Sequence, residues 1–276
     1  MRTRATSLAT LVLVSVLGLT SCANGVSHDH SGARAELNPQ LSQIVLPLEA
    51  FAMNWSEAQT INQANATLTS QCMGKKGLSF PRAGQDWASV PPIPERRYGL
   101  WSRMDAENNG YELPQSAESK LIESQENSFG DDWWQAFHSC FNTERQLPLM
   151  AVNSSPNQTV VDRGINESFE ALLASPEFKA ERGKWSSCIE SDGLALNPDA
   201  RVLVPQFPPA GEEQLKVAAL DVACKEKLNT VQILADWETR NQLDYIDAHE
   251  AELKAYRDSV DKVLAEAKKV ITTVAG

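Results

Sequence analysis

The 64 residues from Glu212 to Ala275, EEQLKVAALDVACKEKLNTVQILADWETRNQLDYIDAHEAELKAYRDSVDKVLAEAKKVITTVA, contain neither glycine nor proline. A run this long without the two strongest helix breakers reads as helix. Near its end Ile246, His249, Leu253, Tyr256, Val260, Val263, Ala267 and Val270 alternate steps of three and four, a heptad stripe over more than three repeats. Ordinary helices are about 11–12 residues long. The run therefore predicts a helical hairpin broken near Asn229 or Asn241, with a coiled coil as the other possibility. His249 lies on the stripe and is expected to be a satisfied core residue. Little in the chain alternates with period two, so the fold class is mainly α, with long C-terminal helices.

Working back toward the N-terminus, Ser175-Pro176-Glu177 supplies a cap, a first-turn proline and an acid. These open a helix through Phe178, Trp185 and Cys188. Val161, Ile165, Phe169 and Leu172 form another stripe. Residues 201–207 read as a short extended piece, and 153–157 (NSSPN) as a linker between halves spanning 40–150 and 158–276. In the first half, Ser56 and Gln59 form a capping box for a helix over 56–75. Further helices are expected over 117–127 and from Asp131 to about Arg145. Residues 78–115 carry Pro81, Pro91, Pro92, Pro94 and Pro114 and read as a long ordered loop or short turns.

The N-terminus sets the expected compartment. Arg2 and Arg4 precede a 12-residue apolar run, Leu8 to Leu19, too short for a spanning helix of about 20. Leu19-Thr20-Ser21-Cys22 then reads as a lipobox. Residues 1–21 are the expected lipoprotein signal peptide, Cys22 the site of a diacylglyceryl membrane anchor, and 22–39 a flexible tether. Loss of Arg2 and Arg4 takes the formal charge from −11 to −13. The location expected is the extracytoplasmic face of the cell membrane. His28 and His30 flank Asp29 in the tether, but two neighbouring histidines leave most coordination positions empty, so no metal is assigned there.

With Cys22 assigned to lipid, Cys72, Cys140, Cys188 and Cys224 remain, an even set suited to two disulfides outside the cytoplasm. SQCMGKKGLSFP around Cys72 parallels SSCIESDGLALNP around Cys188. Each reads as a helix running into the cysteine and ending at Gly77 or Gly193. Cys140 and Cys224 also sit at helical spacing among apolar residues. The pairing favoured is Cys72–Cys140 and Cys188–Cys224, one staple per half. No Cys-x-x-Cys is present, and cysteines 36 or more residues apart do not make a clustered zinc site. His138-Ser139-Cys140 suggests a thiol and its base, but positions i and i+2 of a helix do not face each other.

The acidic pI of about 4.9 excludes the basic footprint of a nucleic-acid binder. Gly-x-Ser-x-Gly, HExxH, EF-hand, P-loop and dinucleotide motifs are absent. Acid pairs such as Asp131-Asp132 are expected by chance among 36 acidic residues. No catalytic residue and no cofactor are assigned. The one binding candidate is the segment 80–103, where Arg82, Arg96, Arg97 and Arg103 mingle with Phe80, Trp87, Tyr98 and Trp101. Such a cluster can grip an anionic glycan, a lipid headgroup or an acidic segment. The competing expectation is that its aromatics pin the loop while its arginines pair with surplus carboxylates.

LPLEAF at 46–51, QCMGKKGLSF at 71–80 and RRYGL at 96–100 are followed by WSSCIESDGL at 185–194, Pro198, Phe207 and AALDVACK at 218–225. Trp237-Glu238 and Gln242 complete the series. In these features the chain resembles a set of uncharacterised actinobacterial secreted proteins and lipoproteins. The resemblance implies an extracytoplasmic, disulfide-stapled helical body and brings no reaction with it. The function expected is a non-enzymatic envelope protein whose helical body binds a membrane-protein or wall-polymer partner. The alternatives are a solute- or glycan-binding lipoprotein using the 80–103 segment and, further off, an envelope enzyme.

Overall fold

The computed structural model describes residues 28–144, 146–150 and 158–274. The expected signal peptide, Cys22 and the 153–157 linker lie outside the described residues. Eight α-helices dominate those residues: α1 (Trp55–Lys75), α2 (Arg103–Asn109), α3 (Ala117–Asn127), α4 (Asp131–Thr143), α5 (Val160–Ala174), α6 (Pro176–Ser191), α7 (Glu212–Leu228) and α8 (Thr230–Val274). A two-stranded antiparallel ribbon, β1 (Glu36–Asn38) with β2 (Gln43–Val45), precedes them. No described helix is long and apolar enough to cross a membrane.

The Gly/Pro-free run is a hairpin broken at Asn229, whose backbone is left-handed (φ 54°, ψ 30°). Asparagine tolerates that conformation better than most residues, so the break at 229 rather than 241 has a local cause. The second arm is itself kinked at His249 (φ −129°, ψ 19°). There the imidazole Nδ1–H donates to the Tyr245 carbonyl at 3.0 Å. That carbonyl is the acceptor a regular helix would offer to the backbone N–H of residue 249, so the side chain competes with the ladder. His249 stacks on the Tyr245 ring, centroids 4.0 Å apart, and is half-buried rather than a core residue.

The heptad stripe is internal. Val260, Leu264 and Ala267 pack with Ile61 and Ala64 of α1 and with Leu147. Leu253 meets Leu48, Val161 and Ile165. Full burial of each such aliphatic side chain contributes roughly 1.5–3 kcal/mol. The stripe of α8 is therefore core, and the exposed residues of this helix lie on its other faces.

The two stapled halves share this core. Its largest cluster joins Ile44, Leu46, Tyr98 and Trp101 to Trp185, Leu203, Val231 and Leu234. Cys72–Cys140 ties α1 to α4, and Cys188–Cys224 ties α6 to α7 (Cα–Cα 5.6 and 5.8 Å). Both cysteine helices end alike. Leu78 N–H bonds the Met73 carbonyl and Leu194 N–H the Ile189 carbonyl, across Gly77 (φ 74°) and Gly193 (φ 81°). These are matching Schellman caps.

Several local expectations change. The capping box of α1 is Asn54 with Glu57, one turn-start earlier than Ser56 with Gln59. The 78–115 loop contains α2, capped by Ser102. Of 201–207, only Pro205 makes a bridge, to Leu196. Residues 28–39, expected as tether, lie against the body. β1 pairs in register with β2, Ala35 N–H donates to Asp236 at 2.9 Å, and Arg34 ion-pairs with Asp236 at 3.1 Å.

Candidate functional site

Within the 80–103 segment every arginine is paired with a carboxylate, and Arg96 and Arg97 are largely buried. Arg82 makes a two-point contact with Glu126 (2.8 and 2.6 Å). Arg96 bonds Asp105 (3.2 and 2.8 Å) and the carbonyls of Gly110, Tyr111 and Glu112. Arg97 grips the buried Glu238 at 2.6–2.9 Å, reaches the Ile165 carbonyl, and lies 4.8 Å from the Phe169 ring centre. Arg103 alone extends mostly into solvent, and it pairs with Glu226. Tyr98 and Trp101 are buried, the Trp101 indole donating to the Glu95 carbonyl. Trp87 is half-buried, with its indole nitrogen unpartnered. All four arginines thus have carboxylate partners within the fold, as the competing expectation had it. In an acidic chain, carboxylates from distant elements claim the guanidinium groups first.

What these residues build instead is two buried polar centres. In the first, Glu238 on α8 accepts from Arg97, from the Tyr98 hydroxyl at 2.7 Å, from Ser168 at 3.0 Å and from Gln242 at 3.3 Å. Gln242 in turn accepts from the Leu48 backbone at 3.0 Å. Burial works against the Arg97 charge, but the Glu238 carboxylate outweighs it and raises the guanidinium above its ordinary value. Burial, then Glu238, pushes the Tyr98 phenol well up. Beside this centre the Glu49 carboxyl is raised to about 7, first by packing against the body and then by the charges of Glu95 and Glu238. Glu49 as a residue keeps solvent contact, which weakens the effect.

The second centre lies on α7. Asp221 accepts from the Trp185 indole at 2.8 Å, the Tyr111 hydroxyl at 2.9 Å and the Lys225 ammonium at 2.9 Å. Lys225 is fully buried and completes its three donors with the carbonyls of Leu100 and Leu203, both 2.6 Å away. Burial pushes the Lys225 ammonium below its ordinary value, and Asp221 pulls it back up. Gly99 (φ 95°) admits this close approach: a Cβ there would stand 2.2 Å from the Leu203 carbonyl oxygen and 3.0 Å from the ammonium. Sequence reading missed both centres, although RRYGL, AALDVACK, Trp237-Glu238 and Gln242 supply most of their members. Every group in the Lys225 centre is satisfied by protein, as buried polar groups generally are.

The exposed feature that stands out is apolar. The β1–β2 turn, the proline segment and α2 enclose a groove of about 210 Å³ whose apolar lining (Leu41, Met104 and four prolines) is bordered by polar residues including Gln40, Asn108 and Asn109. Leu41, Ile93, Met104 and Leu113 are all about half exposed (55, 57, 49 and 56%). Its walls are rigidly joined. Glu95 N–H donates to the Ser42 carbonyl at 2.7 Å, the Gln43 amide to the Ile93 carbonyl at 3.0 Å, and the Ser102 hydroxyl to the Pro39 carbonyl at 2.9 Å. Ser42 holds a left-handed backbone (φ 52°) in the turn that presents Leu41. A second cavity of about 210 Å³, between Leu37, Trp101, Asn229 and Gln232, sits at the hairpin bend. Both are smaller than the roughly 300 Å³ at which small-molecule sites begin.

In the tether segment, His28 and His30 converge on Asp247 of α8 at 3.2 and 2.9 Å. Compared with known proteins, the chain matches no family model, no curated protein and no solved structure.

Proposed function

We propose that this is a lipid-anchored cell-envelope protein, held on the extracytoplasmic face of the membrane by a diacylglyceryl group on Cys22. Its helical body acts as a binding module rather than an enzyme and docks a membrane-protein partner. The address is supported by the charged start, the short apolar run and Leu19-Thr20-Ser21-Cys22. The observation that carries the binding part is the exposed, proline-walled apolar groove around Leu41 and Met104. Contiguous exposed apolar side chains on a rigid frame are costly in water and mark interaction surfaces. Prolines at the rim cannot donate to a ladder, so the groove takes side chains of a partner rather than an added strand.

Cys22 and His28 are six residues apart, so the chain between them spans at most about 20 Å. The body thereby works close to the bilayer surface.

Fatty-acid labelling in cells tests the anchor: label is expected on the wild type and lost in Cys22→Ala. Photocrosslinking from position 104 in the same cells tests the groove. One discrete adduct is expected, lost on Leu41→Asp and not formed from an exposed position of α8 such as Glu266. Equal crosslinking from both positions would remove the groove from the reading.

A further inference from the structure

The geometry points to a divalent transition-metal site, suited to Zn²⁺, formed by His28 Nδ1, His30 Nε2 and an oxygen of Asp247. This inference stands apart from the lipid anchor and from the groove. His28 and His30 are adjacent in sequence, but Asp247 is more than two hundred residues away on α8, and it is the ligand the sequence lacked. Both imidazole nitrogens approach the same carboxylate oxygen, and all three ligand atoms lie within 4.8 Å of one another.

The spacing fits a metal as well as it fits two hydrogen bonds. In a tetrahedral site with metal–ligand bonds near 2.0–2.1 Å, neighbouring donor atoms are about 3.3 Å apart. The two edges to Asp247 are 3.2 and 2.9 Å and the third lies within 4.8 Å, so an ion can replace the two shared protons once the rings turn toward it. Two imidazoles and a carboxylate are a donor set that zinc favours over magnesium or calcium. Three protein ligands leave a fourth position to water, as the exposure of His28 allows.

The segment is also placed independently of the histidines. Arg34 and Ala35 bind Asp236, and the Gln232 amide bonds the Ala35 carbonyl at 3.0 Å. From Asp236 to Asp247 is eleven residues of helix, about 16 Å. Residues 35 back to 28 thus run antiparallel along α8 and deliver the imidazoles to Asp247. The net charge of the chain also favours cation approach. An ion here would clamp the stretch leading to Cys22 against the body.

The test is calorimetric titration of Zn²⁺ into the full-length, chelator-stripped chain in detergent, with circular dichroism to confirm folding of each variant. One Zn²⁺ per chain is expected, with affinity weakened about tenfold or more by Asp247→Asn and by His30→Ala. His138→Ala, on α4, should bind as the wild type does. Acidification should weaken binding, because the imidazole ligands must be neutral. Absence of binding, or binding that Asp247→Asn leaves unchanged, would overturn the site.

Discussion

The two disulfides sit in helix pairs that start from the same local sequence and end in opposite kinds of interior. Around Cys72–Cys140 the filling is aromatic. Phe80, Phe129, Trp133 and Phe137 stack with centroids 4.5–6.3 Å apart, and of these four rings only the Trp133 indole carries a donor, given to the Ser79 carbonyl. Around Cys188–Cys224 aliphatic packing with Ile189 and Leu203 also encloses an ion pair, with Asp221, Lys225 and the Trp185 indole sealed from water. Both helices carry the same Schellman cap, so the local code specifies where a helix stops and leaves the chemistry of its surroundings open. Aromatic packing tolerates change in shape, because dispersion is spread over many contacts. A buried ion pair does not, since removing one partner strands the other charge.

That contrast is broken most severely at Asp221. Asp221→Ala should lower unfolding free energy by about 3–5 kcal/mol, because Lys225 keeps two carbonyls but loses its counter-charge. Phe137→Leu in the aromatic cluster should cost less than about 1.5 kcal/mol. Urea unfolding of both variants gives the comparison, and equal losses would mean that the Asp221 centre is no more brittle than stacked rings.

The staples come next. The chain-entropy account assigns each about 4 kcal/mol as an upper figure. The 68-residue separation of Cys72–Cys140 exceeds the 36 of Cys188–Cys224. Loop length alone places the first ahead by about 0.6 kcal/mol. Double alanine variants of each pair should follow that order in denaturant midpoint. The reverse order would show that packing around Cys224 counts for more than loop length.

The smallest effect lies where the two halves meet, at Glu49. Its carboxyl is raised from 4.5 to about 7, so the protonated form is favoured by folding. The stability this lends is complete below pH 4.5 and is lost as pH rises through 7. Glu49→Gln should flatten that decline and be the more stable chain at pH above 7. Solvent contact limits the gain to about 1 kcal/mol or less, measurable as a pH series of thermal midpoints.

Much of the architecture was legible because its signals are short-range. Helix periods, the Ser175-Pro176-Glu177 start, the glycine caps and the parallel cysteine motifs each involve residues a few positions apart. α2 escaped because it is only seven residues long and stands among prolines, with Ala106 as its one buried apolar residue. The polar centres escaped for another reason. Asp221 and Lys225 are an i,i+4 pair, the spacing of an ordinary solvated pair on a helix face. Nothing local reveals that Trp185, Tyr111 and two distant carbonyls close over it. For the segment 80–103 the sequence suggested that the arginines pair with carboxylates but not which ones, and only the fold places Glu238, Asp105, Glu126 and Glu226 around them.

By itself, then, the sequence determined the helical class, candidate breaks at Asn229 or Asn241 in the long C-terminal run, and the parallel glycine-capped cysteine helices. These follow from steric and capping rules acting within one or two turns of chain. Only the tertiary structure decided that the heptad stripe is core, that the arginines are internal counter-ions, and that His28 and His30 meet Asp247. Apart from the short Arg96–Asp105 link, those outcomes depend on which elements pack together across 44 to 219 residues of chain. Contacts of that span are set by the joint burial of many side chains, which no single stretch encodes.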